Sequence, residues 1–461
     1  MPELERKLGL GDSVFLVIGS VLGSGIFLTT GIIAKDLPSP LFIWLAWLVG
    51  GVLAMSGALT YGELGALWPK AGGPYVYLKE SYGSLAAFLY GWAFFWVIGG
   101  GGIAALAVGF AEYLGTFVPG LSLSHALFEL DIGPLQIHPS SGQFIAVLSI
   151  VFLSGMNYFG IRSGARVQNA FAIIRIVALM GLAGFGLAIG KKAGIHAFSQ
   201  ALQGSSKATW SGFALALIPI VWAYDGWYSV NCTAEEVKKP GKNIPLSLAL
   251  GTMIVMLLYL LTNIVYSIAL PMEKMRGIVR VGETASLQLF GPRGGAFLTA
   301  LILLTIFGCL SASVIYCPRI PFAMARDRLF FRKMAFVHPR YHVPSKAITA
   351  QMIWSGLLCL SGTYQSLYEY VVFALALFFA ATGFSVIILR LKDPGRPRPY
   401  RVWGYPAIPL LFVLANLALF MNMVFSRPLQ TLAGALLLLL GVPAYIFWKK
   451  TSLREESSVQ P

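Results

Sequence analysis

Long uncharged apolar stretches alternate with short polar segments along most of the chain. A transmembrane helix needs about 20 mostly apolar residues. The stretches of about that length that contain no Asp, Glu, Lys or Arg are 13–34, 37–62, 81–111, 139–161, 243–272, 294–318, 347–368, 370–389, 402–426 and 428–448. Two more, 167–190 and 208–232, qualify if one charge each is accepted, Arg175 in the first and Asp225 in the second. The pattern therefore predicts twelve membrane-spanning helices.

The composition agrees with a membrane protein. Hydrophobic residues make up 57% of the chain and charged residues only 11%, whereas a soluble domain carries about 25% charged residues. A net charge of +15 on so few ionic residues does not indicate a nucleic-acid partner. The cysteines have neither metal-ligand nor disulfide spacing, so we expect small buried apolar residues at Cys232, Cys309, Cys317 and Cys359. We expect no metal and no cofactor.

The basic residues predict how the chain is oriented. Cytoplasmic loops of membrane proteins carry an excess of Lys and Arg. If both termini are cytoplasmic, the inner segments hold 24 of the 34 basic residues and the outer segments hold nine, with Arg175 inside a span. We therefore expect a multi-pass protein of the plasma or inner membrane with both termini in the cytoplasm.

Two predicted spans contain residues that interrupt a helix. The first span contains GSVLGSGIF (19–27), and the sixth contains WAYDGW (222–227). Backbone at membrane depth is irregular only where protein or a water-filled cavity satisfies its polar groups. The first and sixth spans are corresponding members of two five-helix halves, and such matched interruptions point to a transporter's binding site. Close helix packing through small residues is the alternative, which we favour for the run Gly99–Gly102 in the third span.

A broken helix suits an α-amino acid. The amide groups that begin one half-helix attract a carboxylate, and the carbonyl groups that end the other attract an ammonium group. A membrane-embedded transferase would need clustered His, Asp or Glu at a membrane face, and no such cluster or catalytic triad stands out. A nutrient sensor would need a cytoplasmic signalling segment, for which the tail from Lys449 offers little room. We therefore expect a transporter with no catalytic residues.

The motifs at these breaks resemble the L-amino-acid transporter family of the amino acid–polyamine–organocation superfamily, in its bacterial-type members. The matching segments are IGSVLGSGIF (18–27), WAYDGWYSVNCTAEEVKKPGKNIP (222–245), FGCLSASVIYCPRIPFAMARD (307–327) and HPRYHVPS (338–345). The resemblance implies an all-α membrane protein with a LeuT-like five-plus-five inverted repeat, broken helices 1 and 6, and two additional helices. The implied divisions are a cytoplasmic N-terminus at 1–12, repeats at 13–190 and 208–391, a final helix pair at 402–448, and a cytoplasmic tail at 449–461.

The resemblance also implies transport by alternating access. The predicted function is an exchanger of small neutral L-amino acids. The alternative is a proton-coupled symporter that could also accept cationic amino acids. Heavy-chain-linked animal members have a cysteine in the outer loop between spans three and four. Here residues 114–138 contain none, so we expect no disulfide-linked heavy chain.

The family's substrate contacts can be carried over to this sequence. The substrate carboxylate would meet the amides of Gly23, Ser24 and Gly25. The ammonium group would meet backbone carbonyls, and Trp222 would also act as an aromatic gate. The residues that would supply these carbonyls are Val21, Trp222, Ala223 and Asp225.

Two charged residues, Arg175 and Asp225, lie within predicted spans. A charge at membrane depth costs at least about 2.5–3.5 kcal/mol, so both residues are functional candidates. Arg175 ends RVQNAFAIIR (166–175), where the family has a lysine near Ser313, at the place of a sodium ion in sodium-driven relatives. Because arginine keeps its proton, we expect Arg175 to brace the first-helix break without Na⁺ or proton release. Snorkelling to a lipid phosphate is the alternative.

Two further acidic features leave alternatives open. Asp225 could cap the second half-helix through the amides of Trp227 or Tyr228, or it could contact the substrate side chain. The acidic pair Glu235 and Glu236 faces three lysines of the next loop in the sequence, and it forms either a salt-bridged inner gate or a solvated charge cluster. Those lysines are Lys238, Lys239 and Lys242.

Overall fold

The structure is a computed structural model that describes residues 4–37, 39–123, 127, 130–132, 135–137, 140–189, 209–361, 364–426 and 428–457. Within these ranges the chain is almost entirely helical. Two three-residue strands, β1 (Leu130–Ile132) and β2 (Leu135–Ile137), pair antiparallel between the third and fourth predicted spans. The expectation of an all-α protein therefore holds apart from this small hairpin.

Helices lie in all twelve predicted spans. Counting also the short helices between spans, the helices up to residue 189 are α1 (Leu10–Val21), α2 (Gly25–Ile33), α3 (Pro40–Leu67), α4 (Pro74–Tyr82), α5 (Ser84–Ala93), α6 (Gly99–Phe117), α7 (Ser141–Tyr158) and α8 (Ile161–Ile189), with a π-helical turn at Phe94–Ile98 and a 3-10 turn at Pro119–Leu121. From residue 210 they are α9 (Trp210–Tyr224), α10 (Ser229–Cys232), α11 (Pro240–Ala269), α12 (Met272–Met275), α13 (Val281–Tyr316), α14 (Arg319–Arg326), α15 (Ser345–Cys359), α16 (Tyr364–Lys392), α17 (Ala407–Ser426) and α18 (Pro428–Ser457), with 3-10 turns at Ala234–Glu236 and Arg332–Ala335.

Many of these helices could cross a membrane. Among the described residues, nine helical segments are long and apolar enough to do so, judged by length and composition alone. Helix α9 is a shorter apolar helix of 15 residues that ends at the sixth-span break. The fold is that of a multi-pass membrane protein, and the total of twelve spans stays a prediction.

The two interrupted spans lie at the centre of the helix bundle. In the first span, 94% of the most apolar window is buried inside the protein, compared with 33% for Gly164–Ile189 and for α17. Helix α1 packs against α8 and α11, and α9 packs against α2 and α3. Helix α13 packs against both α6 and α8. The broken segments are therefore shielded from lipid, and neighbouring helices can satisfy their irregular backbone.

Candidate substrate site at two broken helices

The first span is broken where the glycine-rich motif predicts it, between α1 and α2. Leu22 leaves the helical conformation with φ −67° and ψ 86°. A Cβ atom at Gly23 would lie 2.8 Å from Cys309 Sγ, and one at Gly25 would lie 2.5 Å from Ala223 Cβ. Side chains at either position would collide with neighbouring helices. Glycine therefore allows the two breaks to approach each other closely.

The second break separates α9 from α10 by four residues. Asp225 is extended, with φ −61° and ψ 153°, and Gly226 has a left-handed φ of +98°. This conformation favours glycine because it lacks a Cβ atom. A Cβ atom at Gly226 would also lie 2.7 Å from Ser20 O in the first break. The Asp-Gly pair thus turns the chain while packing against α1.

A small cavity lies between the two breaks. Helices α6 and α13 also line the cavity. The cavity wall includes every predicted substrate-binding residue, namely Val21, Gly23, Ser24, Gly25, Trp222, Ala223 and Asp225, together with Ser313. Residues that are about 200 positions apart in the sequence therefore meet at one site.

The beginning of α2 borders this cavity. The first amides of a helix have no carbonyl partner within the helix itself, and the helix dipole adds partial positive charge at this end. Gly23, Ser24 and Gly25 all line the cavity at this point. This end of the cavity is suited to bind a carboxylate group.

Three of the four carbonyls predicted for the ammonium group already accept hydrogen bonds. Tyr259 Oη donates to Val21 O at 2.7 Å and to Ala223 O at 3.0 Å. The amide of Asp225 donates to Trp222 O at 3.0 Å. A tyrosine hydroxyl has one proton, so it can serve one of its two carbonyls at a time, and each carbonyl oxygen keeps a second lone pair. An ammonium group could therefore bind here by sharing or displacing the Tyr259 contact.

Sequence reasoning missed Tyr259. The residue lies inside the apolar run of α11, and no motif or charge marks it. Its hydroxyl joins the end of α1 to the end of α9, so it links the two broken helices directly.

Arg175 lies behind the first break, outside the cavity wall. Its Nη1 donates to Gly19 O at 2.6 Å and to Leu22 O at 3.0 Å, and its Nε donates to Phe171 O at 3.0 Å. With its amide oxygen turned toward the guanidinium, Gln168 accepts from Nη2 at 3.0 Å. The arginine is completely buried, so it does not extend to a lipid phosphate.

On α13, Ser313 and Gly308 lie in the region that faces the first break, and a role for Ser313 beside Arg175 stays a prediction. Ser313 Oγ donates to Cys309 O at 3.1 Å, within its own helix. The guanidinium packs against Gly308, where an added Cβ atom would lie 2.6 Å from Nη2. A larger residue at position 308 would displace the arginine.

The expected Asp225 cap does not form. Helix α10 begins only at Ser229, with Tyr228 at its N-cap and no side-chain cap hydrogen bond. Among the residues that the structure describes, the enclosed Oδ1 of Asp225 has no hydrogen-bond partner. The carboxylate also lines the cavity, and its contact with the substrate side chain stays a prediction.

The acidic pair after the second break has partners other than the predicted lysines. Glu236 Oε2 accepts from Arg319 Nε at 3.0 Å and Oε1 accepts from Nη2 at 3.1 Å, and both side chains are almost fully buried. Glu235 pairs with the exposed Arg326 at 2.8–2.9 Å. Burial raises the pKa of Glu236, and the Arg319 guanidinium opposes this shift. The interpretation of Glu236 as part of a solvated charge cluster is therefore wrong. The basic residues that pair with Glu235 and Glu236 belong to α14.

The N-terminal segment is held at the same end of the bundle. The amides of Lys7 and Leu8 both donate to Glu236 O at 2.9 Å, and the amide of Lys238 donates to Leu8 O at 2.8 Å. Leu8 and Val237 are both buried. Glu236 therefore joins the N-terminal segment, through its backbone, to Arg319 of α14, through its side chain.

Comparisons with known proteins identify the family of the chain. The chain belongs to the amino acid permease family, whose sequence profile matches residues 8–444. It is 31% identical to the serine/threonine exchanger SteT of Bacillus subtilis, over 97% of this chain and 98% of that protein. It is 29% identical to the human cystine/glutamate transporter, over 97% of this chain and 87% of that protein. It is 27% identical to the human b(0,+)-type amino acid transporter 1, over 92% of this chain and 84% of that protein.

Proposed function

We propose that the chain is an amino-acid exchanger that works by alternating access and carries small neutral L-amino acids. The observation that carries the proposal is the single cavity formed by two broken helices, with amides at one end and carbonyls at the other. A free amino acid carries both complementary charged groups. The similarity to a serine/threonine exchanger along almost the whole chain supports exchange as the mode of transport.

The proposal includes a LeuT-like arrangement of twelve spans, with repeats at 13–190 and 208–391 and two further helices at 402–448. The matched positions of the two breaks support it. The excess of basic residues in alternate loops supports cytoplasmic termini in a plasma or inner membrane.

The protein is also proposed to need no disulfide-linked partner. The four cysteines are all buried and unpaired. A disulfide to a second chain would require one of them to reach the protein surface.

Counterflow in proteoliposomes tests the proposed function. Purified protein is reconstituted with one unlabelled amino acid inside, and uptake of a labelled amino acid is followed. An exchanger takes up label only when the vesicles contain substrate, and protein-free vesicles show no such dependence. Uptake into empty vesicles driven by an inward proton gradient would instead identify the proton-coupled symporter. No amino-acid uptake under either condition would refute transport.

Asp225 offers a test of side-chain recognition at the same site. Because its enclosed oxygen has no partner, we expect the carboxylate to accept a hydrogen bond from substrates whose side chain carries a donor. A hydrogen bond to a charged group contributes about 1.5–3 kcal/mol, or roughly tenfold or more in affinity. Asp225→Ala should therefore weaken competition by serine or lysine about tenfold relative to competition by alanine. Asp225→Asn keeps an acceptor oxygen and loses the charge, so it should weaken competition by lysine more than competition by serine. An equal change for all competitors would show that Asp225 serves only the backbone of the break.

A further inference from the structure

We infer that a groove between α8 and α13 binds an anionic phospholipid, with one acyl chain in the groove and the headgroup phosphate beside Arg293. The groove has a volume of about 550 Å³, and every described residue that lines it is apolar. Among the described residues it shares no lining residue with the substrate cavity. The inferred site is therefore separate from the proposed transport site, and it does not depend on which substrate the protein carries.

The groove begins where α8 and α13 stop touching. At one end the rings of Phe171 and Phe307 lie with their centroids 5.8 Å apart, and Arg175 packs against Gly308. From Ile173 to the end of α8 the groove lies between the two helices. At a rise of 1.5 Å per residue, this part of α8 is about 24 Å long. A groove of this length can hold an extended acyl chain along the helix.

Small and buried residues form the bottom of the groove, and large exposed residues form its edge. Ala178 and Leu182 are 8% and 2% exposed, whereas Val177 and Phe185 are 64% and 68% exposed. A Cβ atom at Gly181 would have no atom of the described residues within 4 Å. The missing side chain of Gly181 therefore leaves open space within the groove.

Lipid is the occupant that fits this position, because both walls belong to helices that can cross a membrane. The segments Gly164–Ile189 and Val281–Arg326 are both long and apolar enough to do so. The length of the groove is within the hydrocarbon thickness of about 30 Å. Water would find no hydrogen-bond partners on apolar walls, and an empty groove would lose dispersion contacts along both helices. A flexible acyl chain can fill the space.

Arg293 supplies the charge that favours an anionic headgroup. The residue is exposed, and it lies one position before Gly294 and four positions before Phe297, which both line the groove. Residues four positions apart lie on the same face of a helix. Because Phe307 meets α8 at the other end, Arg293 lies at the end of the groove near Ile189. A guanidinium there can bind a phosphate through two hydrogen bonds.

The preference for one lipid over another should come mainly from this charge. Every phospholipid offers acyl chains, and apolar helix surfaces gain no hydrophobic driving force over lipid tails. One basic residue near a membrane surface should favour an anionic over a zwitterionic lipid by about fivefold. A side chain that fills the groove should instead weaken the binding of both lipids.

The experiment is native mass spectrometry of the purified protein, titrated with dioleoylphosphatidylglycerol or with zwitterionic dioleoylphosphatidylcholine. The unmodified protein should retain one phosphatidylglycerol molecule about fivefold more tightly than phosphatidylcholine. Gly181→Phe places a ring in the groove and should weaken the retention of phosphatidylglycerol at least about fivefold, and Gly181→Leu serves if the first variant does not fold. Gly184→Phe is the matched control, because Gly184 is exposed on the same helix and an added Cβ there also meets no described atom within 4 Å. The control should bind both lipids as the unmodified protein does.

Two further arms test the headgroup and the acyl chain separately. Arg293→Gln should abolish the preference for phosphatidylglycerol, whereas Arg276→Gln, which removes an exposed basic residue outside α8 and α13, should keep it. Dihexanoylphosphatidylglycerol has the same headgroup on short chains, so it should bind more weakly than the dioleoyl lipid.

Three results would overturn the inference. Unchanged retention in Gly181→Phe would show that the acyl chain lies elsewhere, and an unchanged preference in Arg293→Gln would show that this residue does not bind the headgroup. A dimer that Gly181→Phe separates into monomers would assign the groove to a second copy of the chain. None of these measurements uses amino-acid transport, so a failure of the proposed function would leave their results unaffected.

Discussion

Removal of the Arg175 guanidinium should release the first-helix break and weaken substrate binding. Its Nη1 atom donates to two carbonyls of that break, Gly19 O and Leu22 O. Hydrogen bonds from charged groups contribute about 1.5–3 kcal/mol each, so the pair contributes about 3–6 kcal/mol. If only about 3 kcal/mol of this total holds the binding geometry, its loss weakens affinity about a hundredfold. Arg175→Met keeps much of the side-chain volume and removes the donors, and Arg175→Ala removes both.

The assay is substrate affinity and initial uptake in proteoliposomes, in sodium and in choline buffers between pH 6 and pH 8. The Met and Ala variants should lose about a hundredfold in affinity. Arg175→Lys should fall between these variants and the unmodified protein, because an ammonium group keeps the charge but lacks the forked geometry of a guanidinium. The unmodified protein should transport equally in both buffers, because the arginine already places a permanent charge beside the break.

Thermal unfolding of each purified variant separates loss of binding from loss of the fold. If Arg175→Ala remains folded and keeps full uptake and affinity, Arg175 does not brace the break. A requirement for sodium in the unmodified protein would contradict the permanent-charge account in a second way.

Two other contacts give further predictions. Tyr259→Phe removes the hydroxyl that bonds to Val21 O and Ala223 O. We expect substrate affinity to fall about fivefold, because the lost hydrogen bond of about 1 kcal/mol no longer holds the ends of α1 and α9 together. Unchanged affinity would show that the linkage is dispensable. Glu236→Gln removes the charge that Arg319 is buried against, so the variant should lose about 3–5 kcal/mol of stability in thermal unfolding. Adding an Arg319→Met substitution should recover part of this loss. Glu235→Gln is the control, because exposed ion pairs contribute about 0–1 kcal/mol, and equal losses in the two single variants would contradict the assignment.

Local signals predicted both breaks correctly. The motif GSVLGSGIF and the pair Asp225–Gly226 carry glycines at positions where a neighbouring backbone or side chain lies within 3 Å of a missing Cβ atom. Steric demands of this kind act on single residues, so they leave a trace in the local sequence. The apolar runs are also local signals, and each of them contains a helix.

The sequence could not predict contacts that join distant segments. Tyr259 lies 238 positions from Val21, and Arg319 lies 83 positions from Glu236. Tyrosine in an apolar run and arginine after a span are both common, so neither is distinctive by itself. Proximity along the chain suggested lysines as partners for Glu236, but the fold places the beginning of α14 closer.

The cap predicted at Asp225 failed for a local reason. Capping requires the helix to begin immediately after the capping residue. Here the chain continues through three further non-helical residues before α10 begins at Ser229. The sequence showed where α9 stops but not where helical structure resumes.

The most direct test of substrate binding at the broken helices is an experimental structure of the protein with serine or alanine bound. The substrate carboxylate should lie about 2.7–3.2 Å from an amide nitrogen of Gly23, Ser24 or Gly25, with the ammonium group facing the carbonyls of Val21 and Ala223. A bound amino acid in the reverse orientation, or outside the cavity between the two breaks, would contradict this mode of recognition.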